Sequence, residues 1–296
     1  MPEAPGEAVY LCYDQAGLDA QYNNRARFPD FSRHFEAWGT WSEATRSRLP
    51  CHLDLAFGPG ACERLDIFPA EQPGSPLYLF IHGGYWYSLD KADYSYLAEG
   101  LRPHGLTTAV NNFGLAPAYD MDEIVRQNRA ALVWLWRNAG DYGYDREKIY
   151  AAGHSAGGHL AAMLLATDWP SLGADLPSDL VKGACAIGGI FDLEPIRLSF
   201  LNQKLHLSEA QVARHSPQRQ RYPQAAPLLL IVAKDESPEF HRQSEEMAAL
   251  WRGLGYPVDL VVPDGLDHFD VVNQLIDQGC PLVQRQLQHM RQAFSF

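Results

Sequence analysis

Three groups of residues in this 296-residue chain have types and spacings suited to chemistry at a carbonyl carbon. The first is Gly153-His154-Ser155-Ala156-Gly157, of the form G-x-S-x-G. A short apolar run, Ile149–Ala152, precedes it, and Gly158–Leu165 reads as a helix. Strand, tight turn and helix are the context in which such a serine becomes a nucleophile. The strained turn leaves no room for Cβ atoms on either side, so glycines let the hydroxyl stand clear of the sheet. Alone, the pentapeptide would also suit a Gly-rich turn with an inert serine, so the rest of the chain must decide.

The second group, His82-Gly83-Gly84-Tyr85-Trp86, follows the continuous apolar run Leu77–Ile81. Successive glycines after a strand free backbone N–H groups to face a developing oxyanion, and Gly83 and Gly84 are expected to share that task with the N–H of Ala156. His82 is expected to hold the loop by a backbone hydrogen bond. The third group supplies an acid and a base. Asp235 and Glu236 stand together after Leu228–Val232, and His268 stands after Val258–Val262, just before a helical stretch. A carboxylate there would orient the imidazole and stabilise its protonated form, leaving His268 as general base for Ser155. Spacing does not choose between the two acids. All these residues close apolar runs, and ligands of parallel sheets bind beyond the carboxyl ends of the strands.

The elements that must position them alternate. Cys51–Phe57 and Cys62–Phe68 read as a hairpin around Gly58-Pro59-Gly60, and Leu106–Asn112 and Val181–Ile187 as further strands. Asp122–Ala139 and Ser237–Leu254 have helical spacing, and a last helical stretch begins near Phe269. The pattern predicts an α/β fold with a mostly parallel central sheet, helices on both faces and an antiparallel edge hairpin. One domain over 1–296 is expected. Within it, polar and aromatic residues 1–50 form short covering helices, and residues 190–225, broken by Pro195, Pro217 and Pro223, form a small lid.

Composition narrows the function. Hydrophobic residues at 46% and charged residues at 20% describe an ordinary globular protein, and a net charge of −12 without a basic run argues against nucleic acid as a partner. Five scattered cysteines without a CxxC pair favour a reducing compartment over disulfides or zinc. No HExxH, Walker loop or GxGxxG stretch occurs, and His154 and His159 are five apart, so neither a metal nor a nucleotide cofactor is expected. Met1–Glu7 lacks a basic start and an apolar run, and no apolar stretch approaches spanning length. The expectation is a soluble, cytoplasmic protein without a membrane partner; a homodimer is left open.

Taken together, these residues resemble the kynurenine formamidase (arylformamidase) branch of the α/β-hydrolases, near the hormone-sensitive-lipase-like esterases. The likeness spans nearly the whole chain: Tyr13-Asp14 and Tyr22-Asn23-Asn24-Arg25, His82–Trp86, Asn112–Pro117, Gly153–Leu160, Gly189–Ile196, Glu236–Phe240 and Asp267–Phe269. The order serine, carboxylate, histidine is that of the superfamily. The resemblance implies Glu236 as the acid, with Asp235 the alternative. It implies a small amide or ester substrate, cleaved through an acyl-enzyme on Ser155. For an N-aryl formamide, Tyr85, Trp86 and Phe191 are the candidate lining of the leaving-group pocket, with an apolar core role as the other reading. Asp192 and Glu194 are expected to cap a loop. A carboxylesterase, or a hydrolase of another N-formyl or N-acyl compound, would use the same machinery. A binding protein that has lost catalysis would have a broken triad.

Overall fold

The computed structural model describes residues 7–295, so the reading made on Met1 to Gly6 falls outside it. Eight strands form one sheet: β1 (His52–Ala56), β2 (Arg64–Phe68), β3 (Ser75–Ile81), β4 (Thr107–Asn111), β5 (Tyr144–His154), β6 (Gly183–Ile187), β7 (Leu228–Ile231) and β8 (Val258–Val261). Their spatial order is β1-β2-β4-β3-β5-β6-β7-β8. The β1–β2 and β2–β4 pairings are antiparallel and every other pairing is parallel, as expected from the leading hairpin and the later alternation.

Each central strand is apolar on both faces because each face meets a different core. Leu77, Leu79 and Ile81 of β3 enter one core, while Tyr78 and Phe80 enter the other, the two-residue period of a strand. Along the chain the helices are α1 (Gln15–Tyr22), α2 (Asn24–Arg27), α3 (Phe31–Arg48), α4 (Leu97–Leu101), α5 (Met121–Asn138), α6 (Ala156–Leu165), α7 (Glu194–Leu198), α8 (Asn202–Leu205), α9 (Glu209–His215), α10 (Pro238–Gly253), α11 (Asp270–Asn273) and α12 (Pro281–Ala293). The apolar stripe of α5, Ile124 to Trp136, lies in the first core, and the Asp120 side chain caps its start by accepting from the Glu123 amide at 2.9 Å.

The N-terminal segment departs from expectation in length. Residues 31–48 form one helix of 18 residues rather than short pieces. Its buried stripe is His34, Trp38, Ser42 and Thr45, a narrow and partly polar face whose period is weak in the sequence. Residues 190–225 fall between β6 and β7 and carry the three short helices α7 to α9. No helix among the described residues is long and apolar enough to cross a membrane.

Candidate active site

Ser155 sits between the end of β5 and the first residue of α6, with φ 57° and ψ −118°. Left-handed φ at a residue with a side chain costs on the order of 1–3 kcal/mol, so the surroundings must enforce it. Two close backbone approaches do so. A Cβ on Gly157 would lie 1.9 Å from the Ile81 carbonyl oxygen, and one on Gly153 would lie 2.2 Å from the Gly157 oxygen. The Ser155 amide donates to the Ile187 carbonyl at 2.7 Å, which ties the turn to β6.

Glu236 and His268 approach Ser155 from the ends of β7 and β8. His268 Nδ1 donates to Glu236 Oε2 at 2.8 Å, and both residues are buried. That bond fixes the tautomer and leaves Nε2 as the ring's acceptor. The other oxygen, Oε1, accepts from the Ala233 amide at 3.0 Å, so the turn after β7 aims the carboxylate at the imidazole. The neighbouring Asp235 is exposed, and only its backbone amide is engaged, with the Leu266 carbonyl at 3.3 Å. Two further residues, not singled out from the sequence, complete the arrangement. His154 Nε2 donates to the His268 carbonyl at 2.8 Å, and burial holds its ring neutral. Gly188, at φ 53°, leaves the space in which the pair meets, since a Cβ there would lie 3.0 Å from both Glu236 Oε1 and His268 Nδ1.

The expected oxyanion donors lie alongside. A Cβ on Gly83 would fall 3.2 Å from the Ser155 Cβ, so the Gly83 backbone runs directly past the serine. Gly84 adopts φ 97°, and its carbonyl accepts from the Ser88 amide and hydroxyl, closing a turn. Ala156 is the first residue of α6, so its N–H has no intrahelical acceptor and sits at the positive end of the helix. His82 Nδ1 donates to the Gly83 carbonyl at 2.9 Å, and its ring stacks on Phe113 at 4.3 Å, the loop-holding role expected of it.

Ser155 and His268 line one cavity of about 40 Å³, room for on the order of three water-sized groups. Its other walls come from the 84–89 loop and, unexpectedly, from the N-terminal helices, which contribute Asn24, Arg25, Phe35 and Trp38. No residue of 190–225 lines it. Of the three aromatic residues expected along a leaving-group pocket, only Tyr85 does so. Trp86 is fully buried edge-on against His159, with ring centroids 5.0 Å apart, and Phe191 is fully buried in the core beside Gly189. These two placements correct the sequence expectation. Asp192 Oδ1 accepts from the Glu194 amide at 3.1 Å, and Glu194 pairs with Arg197, so both stabilise the loop after β6.

The N-terminal cover is fastened by polar contacts. Tyr85 Oη donates to the Tyr22 carbonyl at 2.7 Å. Tyr22 Oη donates to the buried Glu239 at 3.0 Å and accepts from Gln243 at 2.8 Å. Beneath this cover, among the described residues, His34, Asp267 and Asp270 are close enough to share a cation. Asp267 Oδ1, however, already accepts from the Phe269 and Asp270 amides, and Asn273 Nδ2 lies 2.8 Å from His34 Nδ1.

Comparison with known proteins places the chain in a family. The BD-FAE family model matches residues 65–247. The kynurenine formamidase of Danio rerio is 32% identical over 275 residues, covering 88% of this chain and 92% of the fish protein. That of Salmo salar is 32% identical over 281 residues, covering 92% and 93%. A crystal structure of a Silicibacter sp. tm1040 protein, provisionally named a thioesterase, superposes with a TM-score of 0.79 at 28% identity, covering 90% of this chain and 97% of that one. The chain belongs to the kynurenine formamidase-like branch of the α/β-hydrolases and is a hydrolase of amide or ester bonds.

Proposed function

We propose that this enzyme cleaves an N-aryl formamide of the N-formylkynurenine type to the arylamine and formate, through a formyl-enzyme on Ser155. The observation that carries this reading is the cavity of about 40 Å³ onto which Ser155 and the Glu236-supported His268 both open. A formyl group fits such a space. The names of the two fish relatives point to the same chemistry.

The steps follow from the groups present. His268 Nε2 takes the Ser155 proton as Oγ bonds to the formyl carbon. The carbonyl electron pair moves onto oxygen, where the N–H groups of Gly83, Gly84 and Ala156 meet it; removing one such donor typically costs about 3–4 kcal/mol. The carbon–nitrogen bond then breaks as His268 returns the proton to the arylamine nitrogen. Water, deprotonated by His268, attacks the formyl ester, and formate leaves as Ser155 regains its proton.

An esterase acting on short acyl groups is the second reading, because the thioesterase-named relative is similar over 90% of this chain. Steady-state kinetics on N-formyl-L-kynurenine and p-nitrophenyl acetate separates the two. A kcat/KM for the formamide of about 10⁴ M⁻¹s⁻¹ or more, lost in Ser155→Ala, is the expected result. Ester turnover with negligible formamide turnover would assign the chain to the second reading.

A further inference from the structure

The cover over the cavity carries two polar side chains that the steps at Ser155 do not use. Asn24 is only 4% exposed, lines the cavity, and its Nδ2 has no hydrogen-bond partner. Buried polar groups are nearly always paired, so an unpaired amide in the wall of a cavity points to a missing acceptor. Arg25 lines the same cavity from the exposed side. Its guanidinium rests over Phe31 and Phe35, 5.2 and 5.7 Å from the ring centroids. Among the described residues it forms no ion pair, while Arg126, Arg137, Arg214 and Arg242 each hold a carboxylate. Stacking on two rings limits the motion of the guanidinium and leaves its N–H fork free.

The donors suit one ligand chemistry. Arg25 offers only donors, Asn24 adds an unpaired NH₂, and a chain of net charge −12 leaves this cation without a carboxylate of its own. Asn24 and Arg25 line the same cavity as Ser155 and His268, so a substrate held at the serine meets the cover. We propose that Asn24 and Arg25 form a carboxylate subsite for the leaving group, making the enzyme selective for aryl formamides or esters whose departing half carries a carboxylate. The proposal rests on the formamidase reading only for the bond that is cleaved.

Two matched substrate pairs test it. The formamide pair is N-formyl-L-kynurenine and neutral 2-formamidoacetophenone; the ester pair is 3-acetoxybenzoate and phenyl acetate. The quantity read is the ratio of kcat/KM for the carboxylate-bearing over the carboxylate-free member, in the wild type and in Arg25→Gln, Arg25→Lys and Asn24→Asp. A charge-assisted contact predicts a wild-type preference of about 10- to 100-fold. Arg25→Gln should erase most of it through KM, Arg25→Lys should retain part, and Asn24→Asp should reverse it by placing like charges together. A wild-type ratio near one, or a ratio unchanged in both Arg25→Gln and Asn24→Asp, overturns the subsite. Absence of formamide turnover overturns the formamidase reading instead, and the ester pair then still decides the subsite. Calorimetric binding of 3-hydroxybenzoate to wild type and Arg25→Gln reads the same contact without turnover: about tenfold weaker binding in the variant supports it, and equal affinity overturns it.

Discussion

The floor and the cover of this active site are built on different principles. The floor is set by backbone: Gly83, Gly153, Gly157 and Gly188 stand where a Cβ would strike a neighbouring strand, loop or catalytic side chain, and Ser155 is held at φ 57° between them. The cover is set by side chains. Helices α1 to α3 are held by Tyr22, Glu239, Gln243 and Trp38 through polar contacts, and they present Asn24, Arg25 and Phe35 to the cavity. A backbone-built floor admits few alternatives and is suited to holding a reaction geometry. A cover fastened by side chains can change what it presents without moving the serine. On the proposed function, the floor carries the chemistry and the cover the choice of substrate.

The largest effects should come from the floor. Ser155→Ala should lower kcat by at least about 10⁴-fold on any substrate while circular dichroism and the melting temperature stay near wild type. Activity retained in that variant would mean that another nucleophile acts. Glu236→Gln should cost about 10³- to 10⁴-fold, because the neutral amide no longer holds the His268 tautomer or stabilises the imidazolium. Asp235→Asn, exposed and pointing elsewhere, should stay within about twofold, as is usual for surface changes. The reverse result would move the acid and break the description of the floor.

That asymmetry also explains what could be read from the sequence. Ser155, His268, Gly83 and Gly84 were legible because steric demands at strand ends dictate residue type and order. Glu236 and Asp235 were inseparable by spacing because they are adjacent in one turn, and it is the bonds of Glu236 to His268 Nδ1 and the Ala233 amide, with Asp235 left exposed, that reveal which faces inward. Gly188 was missed, since its role depends on two side chains that arrive from other strands. Trp86 misled because its ring packs edge-on against the buried His159, a contact that sequence order does not show, while its neighbour Tyr85 does reach the cavity. The cover was least legible. The α3 stripe mixes histidine, tryptophan, serine and threonine, and the parts played by Asn24 and Arg25 exist only once the helices are docked.

Acid should loosen the body that supports both regions. His159, whose Nε2 donates to the His215 carbonyl, is pushed down by burial to about 3, and His289, beside the Tyr150 hydroxyl, to about 4. Both stay neutral in the fold while an unfolded histidine titrates near 6.5. The unfolded chain therefore binds more protons below that pH, and stability falls as pH drops. The contribution is complete above about 6.5 and is lost progressively toward about 4 and then about 3. Over the first one and a half units the pair should cost up to about 4 kcal/mol, read as a falling urea midpoint between pH 6.5 and 5. A flat profile would mean that these rings are protonated or hydrated in the fold.

The smallest effect sharpens the comparison most. Tyr22→Phe removes a hydroxyl that donates to Glu239 and accepts from Gln243, while its ring and the carbonyl that receives Tyr85 remain. Two buried polar groups each lose a partner, although Glu239 keeps its ion pair with Arg242, so the loss should be about 1–3 kcal/mol. If the cover only selects substrate, the variant should raise KM by a small factor and leave kcat close to wild type, because Glu236 and His268 keep their own contacts. A fall in kcat comparable with that of Glu236→Gln would show that α10, which begins two residues after Glu236 and carries Glu239 and Gln243, transmits the position of the cover to the catalytic carboxylate. Floor and cover would then be one unit.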